Sequence, residues 1–297
     1  MPGFILTKQT RRDFIKYTVS ALGTVAALDM RGFAADAKSS IHWALLSDIH
    51  IPFEYGHGHR NQTPHEHLEK VLPQVLKAQP EGMIITGDLA RLEGKSEDYA
   101  ELKRLLQPVA EKMPIGMCMG NHDDRNNFRQ HFTELQGDVQ SVRNNHVTVV
   151  ETEAVRLVLL DSLLYVNRVA GLLGQEQRNW LKDFLTQADD KPLLLFVHHT
   201  LDEGDGDLLD VDRMFEIITP HRQVKAVVYG HSHVYDYQTR DDIHLINLPA
   251  VGYNFRDIDP IGWVEARLNT EGGEFTLHAV AGNTEDDGKT TSLKWRG

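Results

Sequence analysis

A single cysteine, Cys118, in 297 residues excludes an intrachain disulfide and any thiolate cluster for a soft metal. It lies inside the apolar run 115–119, the setting of a core residue. Long hydrophobic runs are also missing. The N-terminal stretch 17–28 is interrupted by Ser20, Gly23 and Thr24 and falls short of the roughly 20 apolar residues that span a bilayer. Basic residues are few, 31 Lys and Arg against 43 Asp and Glu, giving a formal net charge of −12. A chain of that sign repels a nucleic-acid backbone on average, so nucleic acid is not an expected partner. Small phosphate esters stay open, because bound metal ions invert the field locally. After residue 40 there is no internal repeat, no low-complexity tract and no Pro/Gly/Ser-rich linker. With 41% hydrophobic and 25% charged residues, the composition is that of a globular chain able to bury a real core.

What the chain does contain is five short polar clusters, each placed where an apolar run ends. They are Asp48-Ile49-His50, Gly87-Asp88, Gly120-Asn121-His122-Asp123, His198-His199 and Gly230-His231-Ser232-His233. The runs before them, 43–46, 83–85, 115–119, 193–197 and 224–229, read as strands. Carboxylate, imidazole and carboxamide groups thus collect at one edge of a sheet, where open α/β folds bind ligands. All of these donors are oxygen or nitrogen, suited to hard or borderline divalent metals. Asp48 and His50 are two residues apart, as are His231 and His233, so an extended chain would point each pair to one side.

Strand-like runs alternate with amphipathic helices, which argues for an α/β unit. Thr63-Pro64-His65-Glu66 starts a helix, with Thr63 as cap, Pro64 at the first helical position and Glu66 closing a capping box. Pro73 is expected to kink or shorten it. Further helices are read at 96–106, after the Asn121 cluster, at 175–188 (burying Trp180, Leu181, Phe184 and Leu185) and at 208–218. The later strands 147–150, 156–160, 244–248, 262–268 and 274–280 lack long helices between most of them. This order fits two packed sheets with helices outside.

Hydrolysing a phosphate ester needs a hydroxide near neutral pH, charge neutralisation at phosphorus and help for the leaving oxygen. Two metals about 3.5–4 Å apart supply all three. The order and spacing of the clusters resemble those of the calcineurin-like metallophosphoesterase superfamily, over residues 41–255. The resemblance implies a four-layer αββα sandwich and attack by a metal-bound hydroxide. It assigns one metal to Asp48, His50, Asp88 and His233, and the other to Asp88, Asn121, His198 and His231. His122 resembles the family's non-ligand histidine, which contacts the scissile phosphate and protonates the leaving group, with Asp123 to orient it. Oxygen and imidazole ligands admit Fe, Mn or Zn.

Departures from relatives narrow the branch. Gly87-Asp88 is followed by Leu89-Ala90-Arg91, not the Asp-Arg-Gly element of the protein phosphatases, and His122 by Asp123 rather than Glu. Arg91 stands where purple acid phosphatases carry a metal-binding tyrosine. The run from Met119 to Arg125 resembles the class III cyclic-nucleotide and glycerophosphodiester phosphodiesterase group.

Ahead of this region, Thr10-Arg11-Arg12-Asp13-Phe14-Ile15-Lys16 resembles a twin-arginine export signature, with Ala35-Asp36-Ala37 as the cleavage pattern. Residues 1–37 are therefore expected to be a signal read by the twin-arginine translocation machinery, and 38–297 the phosphoesterase domain. No cysteine follows the apolar stretch, so a lipid anchor is not expected. A periplasmic or secreted site favours a broad phosphodiesterase or phosphomonoesterase for small esters over a dedicated 3′,5′-cyclic-nucleotide enzyme. A nuclease and a non-catalytic metal- or phosphate-binding protein are weaker alternatives. Four other histidines, His57, His59, His65 and His67, read as surface residues, with the loop 50–63 a candidate border of the substrate entrance. His199 reads as a support, Asp161 as a support or a turn cap, and Arg125 as an exposed helix-start arginine.

Overall fold

Strands that are apolar on both faces build the middle of the molecule. A computed structural model describes residues 40–56, 58–132 and 138–297; the expected export signal and His57 lie outside them. In β1 (Ile41–Leu46), Ala44 and Leu46 face one side while Trp43 and Leu45 face the other, and all four are buried. That alternation is the two-residue period of a strand covered on both faces. β7 (Leu193–Phe196) repeats it, with Leu193 and Leu195 on one side and Leu194 and Phe196 on the other.

The first sheet runs β13-β12-β11-β1-β2-β3, where β2 (Gly82–Ile85) and β3 (Ile115–Met117) continue β1 in parallel. β11 (Pro260–Leu268), β12 (Gly272–Gly282) and β13 (Thr290–Lys294) add an antiparallel meander to its other side. The second sheet runs β4-β5-β6-β7-β8-β10-β9. Its parallel centre is β6 (Arg156–Leu159), β7, β8 (Val224–Tyr229) and β10 (Ile243–Asn247). β4 (Asp138–Val139), β5 (Thr148–Glu151) and β9 (Asp236–Arg240) are antiparallel neighbours at its margins.

Trp43, Leu45, Ile84, Leu159, Phe196 and Val228 fill the space between the sheets, together with Cys118. Helices α1 (Pro64–Ala78), α2 (Ser96–Ala110) and α3 (Arg125–His131) cover the outer face of the first sheet through Leu68, Val71, Leu102 and Phe128. Helices α4 (Gly174–Gln187) and α5 (Val211–Ile218) cover the second through Leu181, Leu185, Met214 and Phe215. The result is the four-layer αββα sandwich.

Some local expectations fail for visible reasons. Pro73 does not shorten α1, which continues to Ala78. Pro73 is exposed, so water can reach the carbonyl it leaves unpaired, while Leu68, Val71 and Val75 hold the opposite face. Thr63 makes no side-chain cap, so the capping box is absent. Trp180 and Phe184 are half-buried rather than buried, stacked on each other 5.0 Å apart at the edge of the core. β9 and β13 escaped the sequence reading because edge strands with polar, mostly exposed side chains pair through backbone alone.

Candidate metal centre

Parallel pairing aligns the carboxyl ends of the strands: Leu46 opposite Ile85, Ile85 opposite Met117, Phe196 opposite Val228. The clusters follow within a few residues, and both sheets open to the same side. The convergence does not come from extended backbone. Asp48 (φ 51°), His50 (44°), Asp88 (48°), His231 (70°) and His233 (56°) are all left-handed. Such conformations cost of order 1–3 kcal/mol each for residues with a Cβ. Cross-loop hydrogen bonds hold them: Asp48 N–H donates to the Gly87 carbonyl at 3.2 Å, His50 N–H to that of Asp88 at 2.9 Å, and Gly252 N–H to that of Asp48 at 2.8 Å. Gly87, at φ 117°, has no room for a side chain: a Cβ there would lie 2.7 Å from Gly120 N and 2.9 Å from the His198 Cβ.

Donor atoms gather around Asp88, with His122 at the edge of a third grouping beside His50 and Asp88; two sets lie deepest. In the first, Asp48 Oδ1 lies 3.3 Å from His233 Nε2 and 3.9 Å from His50 Nε2, and His50 Nε2 lies 3.6 Å from Asp88 Oδ2. In the second, His198 Nε2 lies 3.3 Å from Asp88 Oδ1, from Asn121 Oδ1 and from His231 Nδ1. Ligands about 2.0–2.2 Å from one ion are spaced about 3–3.5 Å from each other, so these separations suit shared ions.

The orientations fit metal binding as well. His50 Nδ1 donates to the Arg91 carbonyl at 3.3 Å and His233 Nδ1 to that of Tyr253 at 2.6 Å. Their Nε2 lone pairs then face each other at 3.1 Å, a repulsive contact unless a cation lies between. His231 donates Nε2–H to the Gly206 carbonyl at 3.1 Å, which turns Nδ1 toward the second group. Asp48 Oδ1 is buried with no hydrogen-bond partner, although three imidazole nitrogens surround it. A carboxylate oxygen left without a hydrogen bond among imidazole nitrogens fits a cation site.

Electrostatics agree. Burial works to raise Asp48, yet the charges of His233 and His198 hold its carboxyl well below the usual range. Asp88 is likewise held low, against burial, by His198, His50 and His122. Burial lowers His50 to about 3, and burial with the His198 charge lowers His231 to about 4. His198, despite burial, is raised to about 9 by Asp88 and Asp48. The two carboxylates draw positive charge to the point between them.

His122 sits at the mouth, its side chain 16% exposed and Nε2 4.0 Å from Asp88 Oδ2. Its Nδ1 donates to the Leu92 carbonyl at 2.9 Å, which aims Nε2 into the site. Asp123 therefore does not orient His122, contrary to expectation. It is fully buried and accepts from the backbone N–H groups of Leu89, Ala90 and Gly120 and from the Tyr99 hydroxyl, tying the Asp88 loop to the Asn121 loop. Burial and the Asp88 charge raise it to about 6. The Tyr99 hydroxyl also accepts from Asp124 N–H at 2.8 Å. Tyr99→Phe leaves that N–H unpaired and is expected to cost about 1–3 kcal/mol in urea unfolding; an unchanged midpoint would remove Tyr99 from the support of these loops.

Arg125 is not a free helix-start arginine. It forms a two-pronged pair with Asp161, at 2.6 and 2.8 Å, and binds the Leu163 carbonyl, while Asp161 also accepts from His146 N–H. His199 is a support: its Nδ1 meets Ser162 Oγ at 2.7 Å and its ring packs 4.8 Å from that of His231. His59 is exposed and packs 4.7 Å from Tyr253, bordering the site. The surface reading of His65 and His67 is wrong. Both are buried, His65 beside Glu101 of α2 at 3.3 Å and His67 bonded to the Gly252 carbonyl at 2.9 Å, because α1 packs its first turn inward. Tyr253 and Phe255 were missed: Tyr253 stacks on His50 at 4.7 Å and Phe255 on His233 at 4.3 Å. They follow β10 without any polar cluster that would have flagged them.

The fold and this constellation define a phosphate-ester hydrolase with a cation site at the carboxyl ends of two sheets. Residues 41–235 match the family described as calcineurin-like phosphoesterase. The chain belongs to the calcineurin-like phosphoesterase family, whose members use divalent metal ions. Among similar sequences, a probable glycerophosphodiester phosphodiesterase of Arcobacter nitrofigilis is 28% identical over 198 residues, 63% of this chain and 70% of that protein. A 3′,5′-cyclic adenosine monophosphate phosphodiesterase of Pseudomonas aeruginosa is 28% identical over 230 residues, 75% of this chain and 79% of that one. In structure, a dimetal phosphatase from Danio rerio superposes with a TM-score of 0.68 at 13% identity, covering 86% of this chain and 99% of the other. That likeness is one of fold.

Proposed function

We propose that the chain is an exported phosphoesterase that hydrolyses phosphodiesters and phosphomonoesters at a two-metal centre. Asp48, His50, Asp88 and His233 would hold one ion, and Asp88, Asn121, His198 and His231 the other; Fe, Mn and Zn all suit these donors. The observation that carries the reading is Asp88, whose two oxygens face separate donor groups at 3.6 and 3.3 Å. When bound, the ions would neutralise phosphate charge and make water nucleophilic near pH 7. The chain's own part is to orient His50, His231 and His233 through backbone carbonyls and to present His122 Nε2 to the leaving oxygen as a proton donor. The left-handed loops keep these groups in place before substrate arrives.

Export rests on residues 10–16, with 1–37 as the signal and 38–297 as the catalytic domain. Similarity to the named cyclic AMP phosphodiesterase favours a second reading, a dedicated cyclic-nucleotide enzyme. Purified protein loaded with Mn²⁺ and assayed on bis(p-nitrophenyl) phosphate, p-nitrophenyl phosphate and 3′,5′-cyclic AMP separates the two. Metal-dependent turnover of both aryl esters, ahead of cyclic AMP, is the expected result. Turnover of cyclic AMP alone would select the second reading, and no metal-dependent turnover of any ester would sink both.

A further inference from the structure

Most arginines around the site are already engaged: Arg60 with Asp257, Arg125 with Asp161, and Arg256 with Asp259. Arg91 differs. Its carbonyl accepts from His50 Nδ1 at 3.3 Å, and its backbone N–H faces the Asp98 carboxylate, which accepts from Phe53 N–H at 2.9 Å. Its side chain is half-buried, and among the described residues the guanidinium has no hydrogen-bond or ion-pair partner. Its charge reaches Tyr253 and His59. The Tyr253 hydroxyl, which also feels Asp88 and Asp48, likewise has no hydrogen-bond partner among the described residues. An unpaired cation is unexpected in a chain of net charge −12, where carboxylates are plentiful. Two unpaired donors therefore border the same flank of the centre, beside His50, which bonds the Arg91 carbonyl and stacks on Tyr253.

We infer that Arg91 and Tyr253 form an anion clamp for the free oxygens of a terminal phosphate, biasing the enzyme toward phosphomonoesters. The inference rests on the phosphoesterase reading above and names its preferred substrate class. The chemistry is that of charge. A diester carries one negative charge, whereas a monoester carries nearly two at pH 7, because its second pKa is about 6. The planar guanidinium matches two phosphate oxygens at once, and the phenol adds a single donor. A diester presents ester groups where a monoester presents these oxygens, so it gains less from the clamp.

The test compares wild type with Arg91→Ala, Arg91→Gln and Tyr253→Phe as metal-loaded full-length protein. Two readouts are used: kcat/KM on p-nitrophenyl phosphate against bis(p-nitrophenyl) phosphate, and calorimetric binding of inorganic phosphate. Both Arg91 variants are expected to weaken phosphate binding about 10- to 100-fold, the loss of one charge-assisted interaction. The monoester-to-diester ratio should fall about tenfold or more, mainly through KM on the monoester, with a smaller fall for Tyr253→Phe. An equal loss on both esters, or phosphate affinity within twofold of wild type, would overturn the clamp. If wild type turns over neither ester while phosphate binding still depends on Arg91, the clamp stands and the catalytic reading fails.

Discussion

Asp88→Ala is expected to abolish the metal centre and the activity together. Asp88 is the one carboxylate shared by both donor groups: Oδ2 faces His50 at 3.6 Å, and Oδ1 faces His198 at 3.3 Å while accepting from His122 N–H at 2.9 Å. Its removal takes a ligand from each group and the negative charge that draws a cation there. It also leaves the His122 N–H, next to the proposed proton donor, without its acceptor. Metal content by mass spectrometry should drop from about two ions per chain to below one. Turnover of either aryl ester should fall by at least about 10³-fold, beyond the loss of a single transition-state donor. A variant that keeps two ions and more than a tenth of the rate would refute the bridging assignment.

His122→Ala should behave differently: metal retained, rate lost. The ring also lies within reach of His50 and Asp88, but it sits at the mouth with its Nε2 4.0 Å from the nearest Asp88 oxygen, and it is not one of the proposed ligands. Its Nδ1 bond to the Leu92 carbonyl gives the ring one working nitrogen, directed at the mouth. General acid help is worth about 10²–10⁴-fold, so kcat should fall by that amount with metal content unchanged. The loss should depend on the leaving group, being smaller for p-nitrophenolate, which leaves readily, than for an alkoxide. A glycerophosphodiester assayed beside bis(p-nitrophenyl) phosphate reads that difference. Equal losses on both would make His122 a positioning residue, and full activity on the alkyl ester would remove it from the mechanism.

The site was legible in the chain because each group announces itself locally. Asp48, Asp88, Asn121, His198 and His231 each follow an apolar strand, and the parallel register brings those strand ends level. The supports were not legible. Four backbone carbonyls, of Arg91, Leu92, Gly206 and Tyr253, choose which nitrogen of His50, His122, His231 and His233 faces inward. Every residue except proline carries the same carbonyl and N–H, so no residue type marks the ones that matter. Asp123 shows the same blindness in reverse. Its place beside His122 in sequence suggested a partner, but its carboxylate turns away to bind three loop N–H groups and Tyr99. His65 and His67 were misjudged because burial of a helix face depends on what packs against it, here α2 and the Gly252 loop.

By itself, then, the sequence determined the strands that carry the site, the chemical types of the donors and their arrival at one edge, since all three follow from apolar periodicity and position. Tertiary structure decided how those donors turn. Asp48 and His50, like His231 and His233, looked alike as pairs on an extended chain, yet left-handed backbone directs them. His231 joins His198, and His233 joins Asp48. Those conformations are disfavoured locally and exist only because loops from different strands bond to one another. Such long-range compensation has no signature in a short stretch of sequence.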